Sequence, residues 1–212
     1  MVSKNNRILS IISQRNKKNK YIVTTSDGQS IEISKEIIQS ESLFEGRELD
    51  ASDFEKIVVN ENYFRVREAG LILLSYRMRS KKELYQKLNK KGFSLKVITD
   101  VVDEFEKKDW LNDYKFGLAF AKDQINRNNI GPIALKYKLK NFIDSLELIE
   151  QILNSIYSDF DIEDVIIKIL QKHSVNKILI DYSLRRKLIN KLKRKGHYWQ
   201  DIDSAFKKYT NS

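Results

Sequence analysis

Residues 80–105 read SKKELYQKLNKKGFSLKVITDVVDEF, and this stretch decides the fold. Ser80 followed three residues later by Glu83 is a capping box, in which the serine oxygen accepts from the Glu83 amide and the glutamate reaches back to the serine amide. The helix opened there buries Leu84 and Leu88 and stops at Gly92, placed for a left-handed C-terminal turn. Ser94 caps a following helix, whose Val97, Ile98, Val101, Val102 and Phe105 recur at three- and four-residue steps and build one apolar stripe. The motif is helix, glycine turn, helix.

The motif then returns. Leu84, Leu88, Val97, Ile98, Val101, Val102 and Phe105 have counterparts in Leu135, Leu139, Leu148, Ile149, Ile152, Leu153 and Ile156, each displaced by 51 residues. A third copy follows 53 residues later with Leu188, Leu192, Ile202, Ala205, Phe206 and Tyr209. Gly92-Phe93 matches Gly196-His197, whereas the second copy has Ile143-Asp144. Each unit opens with its own amphipathic helix, near 63–77, 114–127 and 162–172. In the first of these, Val66, Ala69, Gly70, Leu73 and Leu74 form the stripe. Leucine periodicity alone recurs in any helix, but agreement across a helix, a turn and a second helix marks a true repeat. Small units of this kind stack on their neighbours, because each is too small to be very stable alone. The expected fold is mainly α, with tandem three-helix repeats at 61–111, 112–160 and 161–212 in an elongated array.

The first sixty residues read differently. Ile8-Leu9-Ser10-Ile11-Ile12 and Tyr21-Ile22-Val23-Thr24-Thr25 are β-prone, and Ser26-Asp27-Gly28-Gln29 is a turn signal before Ser30-Ile31-Glu32-Ile33. A small antiparallel sheet or hairpin extension over 1–60 follows. Ser34 can cap a short helix through Ile37 and Ile38, and Asp50 or Ser52 can cap one that begins with Asp53, Phe54 and Ile57.

Composition agrees with a helical core. Hydrophobic residues make up 41% of the 212, and a single proline and seven glycines suit long helices with short connections. The absence of cysteine excludes a disulfide framework and a thiolate metal site. There is no apolar leader and no run of about 18 apolar residues, so the expectation is a soluble cytoplasmic protein without a membrane partner.

Charge is distributed unevenly. The formal total is +10; residues 1–59 balance, while 161–212 carry a net +6. From Tyr182 to Gln200 there is no acidic residue. The helix after each repeat's first is the basic one. It carries or adjoins Arg77, Arg79, Lys81, Lys82, Lys87, Lys90 and Lys91 in the first unit, and Lys136, Lys138 and Lys140 in the second. In the third it holds Arg185, Arg186, Lys187, Lys191, Lys193, Arg194 and Lys195. Stacking would align these into a stripe facing phosphates or the acidic lining of a protein groove. For any one lysine the competing reading is a solvated outward face.

Catalytic chemistry finds little support. His173 and His197 lie at a helix end and after a glycine cap, where the helix dipole accounts for both. Asp159, Asp161, Glu163 and Asp164 charge the start of a helix rather than gather a metal. No phosphate loop, GxGxxG or nucleophile–base pair stands out, so neither an enzyme nor a cofactor or metal site is expected. Trp110 and Trp199 sit at junctions and suit inter-repeat packing better than base stacking. Tyr76, Tyr85 and Tyr137, which alternate with basic side chains, are weaker stacking candidates.

Arg79-Ser80-Lys81-Lys82-Glu83-Leu84-Tyr85-Gln86-Lys87-Leu88 with Lys90-Lys91-Gly92-Phe93 resembles the most characteristic segment of the RecX family. Asp109-Trp110-Leu111-Asn112-Asp113-Tyr114-Lys115-Phe116 resembles that family's junction between first and second repeats, and Gly131-Pro132 with Leu135 and Leu139 its second repeat. Ala134 and Lys138 depart from the family's usual basic and acidic residues, and the third repeat is lengthened around Asn176–Asp181. The resemblance covers roughly 60–210. It implies a modulator, usually an inhibitor, that lies in the groove of the RecA–DNA filament and interferes with its growth, ATP hydrolysis and strand exchange. Its implied partners are the RecA filament and single- or double-stranded DNA, and a monomer is expected. A stand-alone DNA-binding helical-repeat protein is the alternative.

Overall fold

The structure, a computed structural model, describes residues 6–211. Four strands come first: β1 (Asn6–Ser13), β2 (Lys20–Thr25), β3 (Ser30–Ser34) and the short β4 (Glu48–Leu49), with α1 (Lys35–Ser40) between the last two. They form one antiparallel sheet in the order β3-β2-β1-β4. The β2–β3 turn depends on Gly28 at φ 85° and on Asp27, whose carboxylate accepts from the Thr25 hydroxyl and the Gln29 amide. Ten further helices follow: α2 (Ala51–Tyr76), α3 (Lys81–Lys90), α4 (Leu95–Lys107), α5 (Asp113–Asn128), α6 (Pro132–Leu139), α7 (Leu146–Asp159), α8 (Ile162–Leu170), α9 (Val175–Ile180), α10 (Tyr182–Arg194) and α11 (Trp199–Thr210). The protein is mainly α with a small N-terminal sheet.

By contact the chain divides into two compact units, Met1–Tyr76 with Leu88–Asp103, and Arg77–Lys87 with Glu104–Ser212. In the first, Ile8, Val23, Ile33, Ile37, Leu43, Leu49 and Ile57 form the core, joined by Phe54 and Phe64 of α2. Asp50 caps α2 by accepting from the Asp53 amide at 2.7 Å, and the helix then runs unbroken across residues 60 and 61. Its Glu61 is buried and accepts from the Ser34 amide and hydroxyl, each at 2.8 Å, and from Lys20 Nζ at 2.9 Å. Ser34 therefore gives its hydroxyl to Glu61 and makes no side-chain cap for α1, because a buried carboxylate needs the donor more than an exposed helix end does.

In the second unit the second and third repeats each keep a separate apolar cluster. One is built on Phe116, Ile125, Leu135, Leu139, Ile149, Ile152 and Ile156, the other on Ile166, Leu170, Leu188, Leu192, Ile202 and Phe206. Of the positions related by 51 and 53 residues, those of Leu84, Leu88, Ile98, Val101 and Val102 are buried in all three copies, ending in Leu188, Leu192, Ile202, Ala205 and Phe206, whereas Val97, Leu148 and Tyr209 (the counterpart of Phe105) are only partly buried. Truncating one such leucine to alanine costs about 2–5 kcal/mol. The lengthened part of the third repeat is the additional short helix α9.

Caps explain the boundaries. The Ser80 oxygen accepts from the Glu83 amide at 3.1 Å, as a capping box requires. The reciprocal half is missing, since the Glu83 carboxylate turns to Arg77 and Arg79; two guanidinium groups outweigh one neutral amide. Asn112, Ser145, Asp161 and Asp181 each cap a helix through the side chain, and Pro132 begins α6. Gly196 at φ 85° ends α10 with paired bonds, from its own amide to Lys193 O at 2.9 Å and from the His197 amide to Leu192 O at 3.2 Å.

That turn also joins the second repeat to the third. The Gly131 amide donates to Lys195 O at 2.8 Å, the Ile133 amide to Gly196 O at 3.1 Å, and His197 Nε2 lies 3.0 Å from Asn129 O. A Cβ on Gly131 would stand 2.5 Å from the Gly196 carbonyl, so only glycine allows the two backbones to meet. His197 is 2% exposed. It is a buried link between repeats and not a helix-end cap; only the tertiary approach of the 129–131 loop creates that role.

Candidate binding surface

α10 puts Leu188 and Leu192 into the third core, which turns the remaining positions outward. Lys187, Asn190, Lys191 and Arg194 fall on one helical face at three- and four-residue steps, with Arg186 and Lys193 beside them. Lys187, Asn190, Lys193 and Arg194 line a shallow concavity of ≈ 490 Å³. Arg185, Arg186, Lys187, Lys191, Lys193 and Arg194 are all exposed, and among the described residues none of the six pairs with a carboxylate.

The reason lies in where the nearby acids go. Asp181 accepts from the Leu184 amide at 2.9 Å and caps α10. Asp203 pairs with Lys207 at 2.7 Å, and Lys208 holds Asp164, Glu163 and Asp161 at 3.3, 3.5 and 3.6 Å. Asp201 is half-buried and interacts electrostatically with His197; burial raises its carboxyl above the usual range. Every acid of 161–212 is thus engaged away from the α10 cations. The acidic residues at the start of α8 cap that helix and anchor Lys208, and among the described residues no cluster suited to a metal exists.

The first repeat differs. Arg77 and Arg79 share Glu83, and Arg79 is buried. Lys81 pairs with Glu106 at 2.9 Å and Lys82 with Asp144 at 2.7 Å. In the second repeat Lys136 pairs with Glu150, which raises its pKa, Lys138 donates to Gln124 Oε1 at 2.8 Å, and Lys140 lies over the Tyr137 ring at 5.6 Å. Lys195 turns from the α10 face to donate to Asn128 O at the joint, and burial lowers its pKa. Among the described residues Lys87 has no ion pair, and it occupies the same repeat position as Lys138 and Lys191. Lys90 and Lys91 are exposed and belong to the other unit.

The tryptophans are more exposed than junction packing predicts. Trp110 is 47% exposed, tilted against Phe105, with Lys108 Nζ 4.9 Å from its ring centroid; Trp199 is 53% exposed, with Lys193 Nζ 5.1 Å from its ring centroid. A lysine over each ring face lets the indole stay at the surface. Trp199 begins α11, and the matching positions Leu95 and Leu146 are also exposed, a repeated surface site that stripe reasoning passes over because it looks only for buried positions.

Three-helix repeats, the third presenting an uncompensated cationic helix, place the chain in the helical-repeat class. A family model described as RecX, first three-helix domain, matches residues 67–105. "Regulatory protein RecX" of Clostridium tetani is 27% identical over 97% of this chain and 95% of its own length. The protein of the same name from Bacillus pumilus is 26% identical over 93% and 75%. The fold is similar to a "Crystal structure of regulatory protein RecX", with a TM-score of 0.72 at 17% identity over 96% of this chain and 99% of that one. It is also similar to a RecX structure from Lactobacillus salivarius, with a TM-score of 0.65 at 20% identity over 72% and 99%. The chain is thus similar to RecX regulatory proteins over nearly its whole length, and its match to the family's model lies in the first three-helix repeat. Among the described residues no helix is long and apolar enough to cross a membrane.

Proposed function

We propose that this chain is a cytoplasmic, monomeric regulator, acting as an inhibitor, of the RecA recombinase. It binds in the groove of the RecA–DNA filament and slows filament growth, ATP hydrolysis and strand exchange. The observation that carries this reading is α10, with six exposed cations that among the described residues have no carboxylate partner, in a chain similar to RecX regulatory proteins. Such a helix complements phosphates or acidic side chains lining a filament groove. The test is RecA's DNA-dependent ATP hydrolysis with and without the purified chain. Slowed hydrolysis and shortened filaments are expected; unchanged hydrolysis and filament length overturn the proposal.

Stand-alone binding of single- or double-stranded DNA is the second reading, favoured by the same helix. Six phosphate contacts give a slope of log K against log salt of about −5 on duplex and about −4 on single strands. A charge-reversed α10 that loses RecA inhibition but binds naked DNA as before would rule it out as the main activity.

A further inference from the structure

The first unit carries a groove that shares only Lys91 with the basic-helix pattern. Two adjoining cavities of ≈ 370 and ≈ 380 Å³ open beside α2, and both are lined by Arg65, Lys91 and Phe93. The first, of ≈ 370 Å³, has an apolar floor in Phe64, Ala69 and Leu73, with the exposed Ile72 at its side. Lys18 joins Arg65 and Lys91 at the rim, and among the described residues none of these three has an ion pair. Lys20 also lines it but is held by Glu61.

We infer that this groove docks an acidic peptide segment of a protein partner, one apolar side chain seated on the floor and flanking carboxylates on Arg65, Lys91 and Lys18. The apolar floor with few polar groups suits a side-chain anchor, and the unpaired cations suit carboxylates. Glu36 and Glu68 also line the groove. Their charge opposes a continuous run of phosphates, while their oxygens can accept from peptide amides. α10 has no acid in its length, so the two surfaces select different chemistry. The inference stands apart from the RecA reading, because it concerns another surface and uses no recombinase.

The test measures fluorescence anisotropy of the full chain with a fluorescein-labelled peptide bearing two glutamates on each side of a central phenylalanine. The same peptide with central alanine and a labelled oligothymidylate are the other probes. The phenylalanine peptide binds most tightly. Arg65→Glu with Lys91→Glu, both exposed, weakens it about tenfold or more, and Phe93→Ala weakens it while narrowing the gap to the alanine peptide. Charge reversal in α10 leaves peptide affinity unchanged and lowers that for oligothymidylate. Absence of peptide binding, equal loss on reversing α10, or loss of oligothymidylate rather than peptide in the Arg65/Lys91 variant each overturns the inference; circular dichroism confirms that every variant is folded.

Discussion

α3 and α10 occupy the same place in the first and third repeats and are both rich in cations, yet electrostatically they are opposites. Around the start of α3, Arg77, Arg79, Lys81 and Lys82 each meet a carboxylate, and Arg79 is buried doing so. On α10, six cations face solvent, and among the described residues none of them pairs with a carboxylate. The contrast teaches that a count of basic residues does not make a polyanion surface; what matters is whether other helices supply counter-ions first. At α3 the charges are neutralised within the fold, and at α10 they are not.

The largest effect that would break this comparison comes from α10. Arg186→Glu, Lys187→Glu and Lys191→Glu together remove three attractions and add three repulsions, equivalent to about six phosphate contacts. DNA affinity should fall about 10³-fold and the salt slope should flatten, measured by titration at several salt concentrations. If Arg77, Arg79 and Lys82 give an equal loss, the two helices are not different in kind.

Next is the joint that holds the end of α10 against the second repeat. Gly131→Ala places a Cβ 2.5 Å from Gly196 and His197 backbone, which cannot swing aside as a side chain would. A loss of about 3 kcal/mol in urea unfolding is expected; a neutral result would mean the two loops do not meet as described.

Arg79→Ala sharpens the other half of the contrast. It leaves Glu83, whose Oε2 is already buried without a partner, with Arg77 alone. Stability should fall by about 2 kcal/mol with DNA affinity nearly unchanged, whereas Lys191→Ala should do the reverse.

The smallest effect is with pH. Burial lowers the pKa of His197, and its Nδ1 has no partner, so the folded state disfavours the imidazolium that the unfolded chain accepts. The unfolded state then binds more protons, and stability falls as pH drops through about 6.5. Asp201, shifted upward by burial, acts with opposite sign at lower pH, favouring the folded state as acid is added. The melting temperature should be lower at about pH 5.5 than at about pH 7.5, and His197→Gln should remove the difference.

Much of the fold is legible in residue order because helix faces are local. The 51-residue shift finds the buried positions without any knowledge of packing, and Gly92 and Gly196 are both in the left-handed region that a glycine turn implies. The Arg79–Glu83 pair was also within reach, being four residues apart on a helix start, but assigning Glu83 wholly to the capping box conceals it. Trp199 escapes for a different reason: a large apolar residue at a junction reads as core unless the lysine above it is known.

What residue order determined by itself was the recurring helical motif, the faces each helix buries and the absence of acids along α10, since all three follow from spacing and identity along one segment. Which cations remain free was decided only by tertiary structure. Lys82 finds Asp144 and Lys136 finds Glu150 on other helices, and Gly131 finds Gly196 across 65 positions. A charge is neutralised by whatever folding brings within a few ångströms, and no periodicity along the chain records that distance.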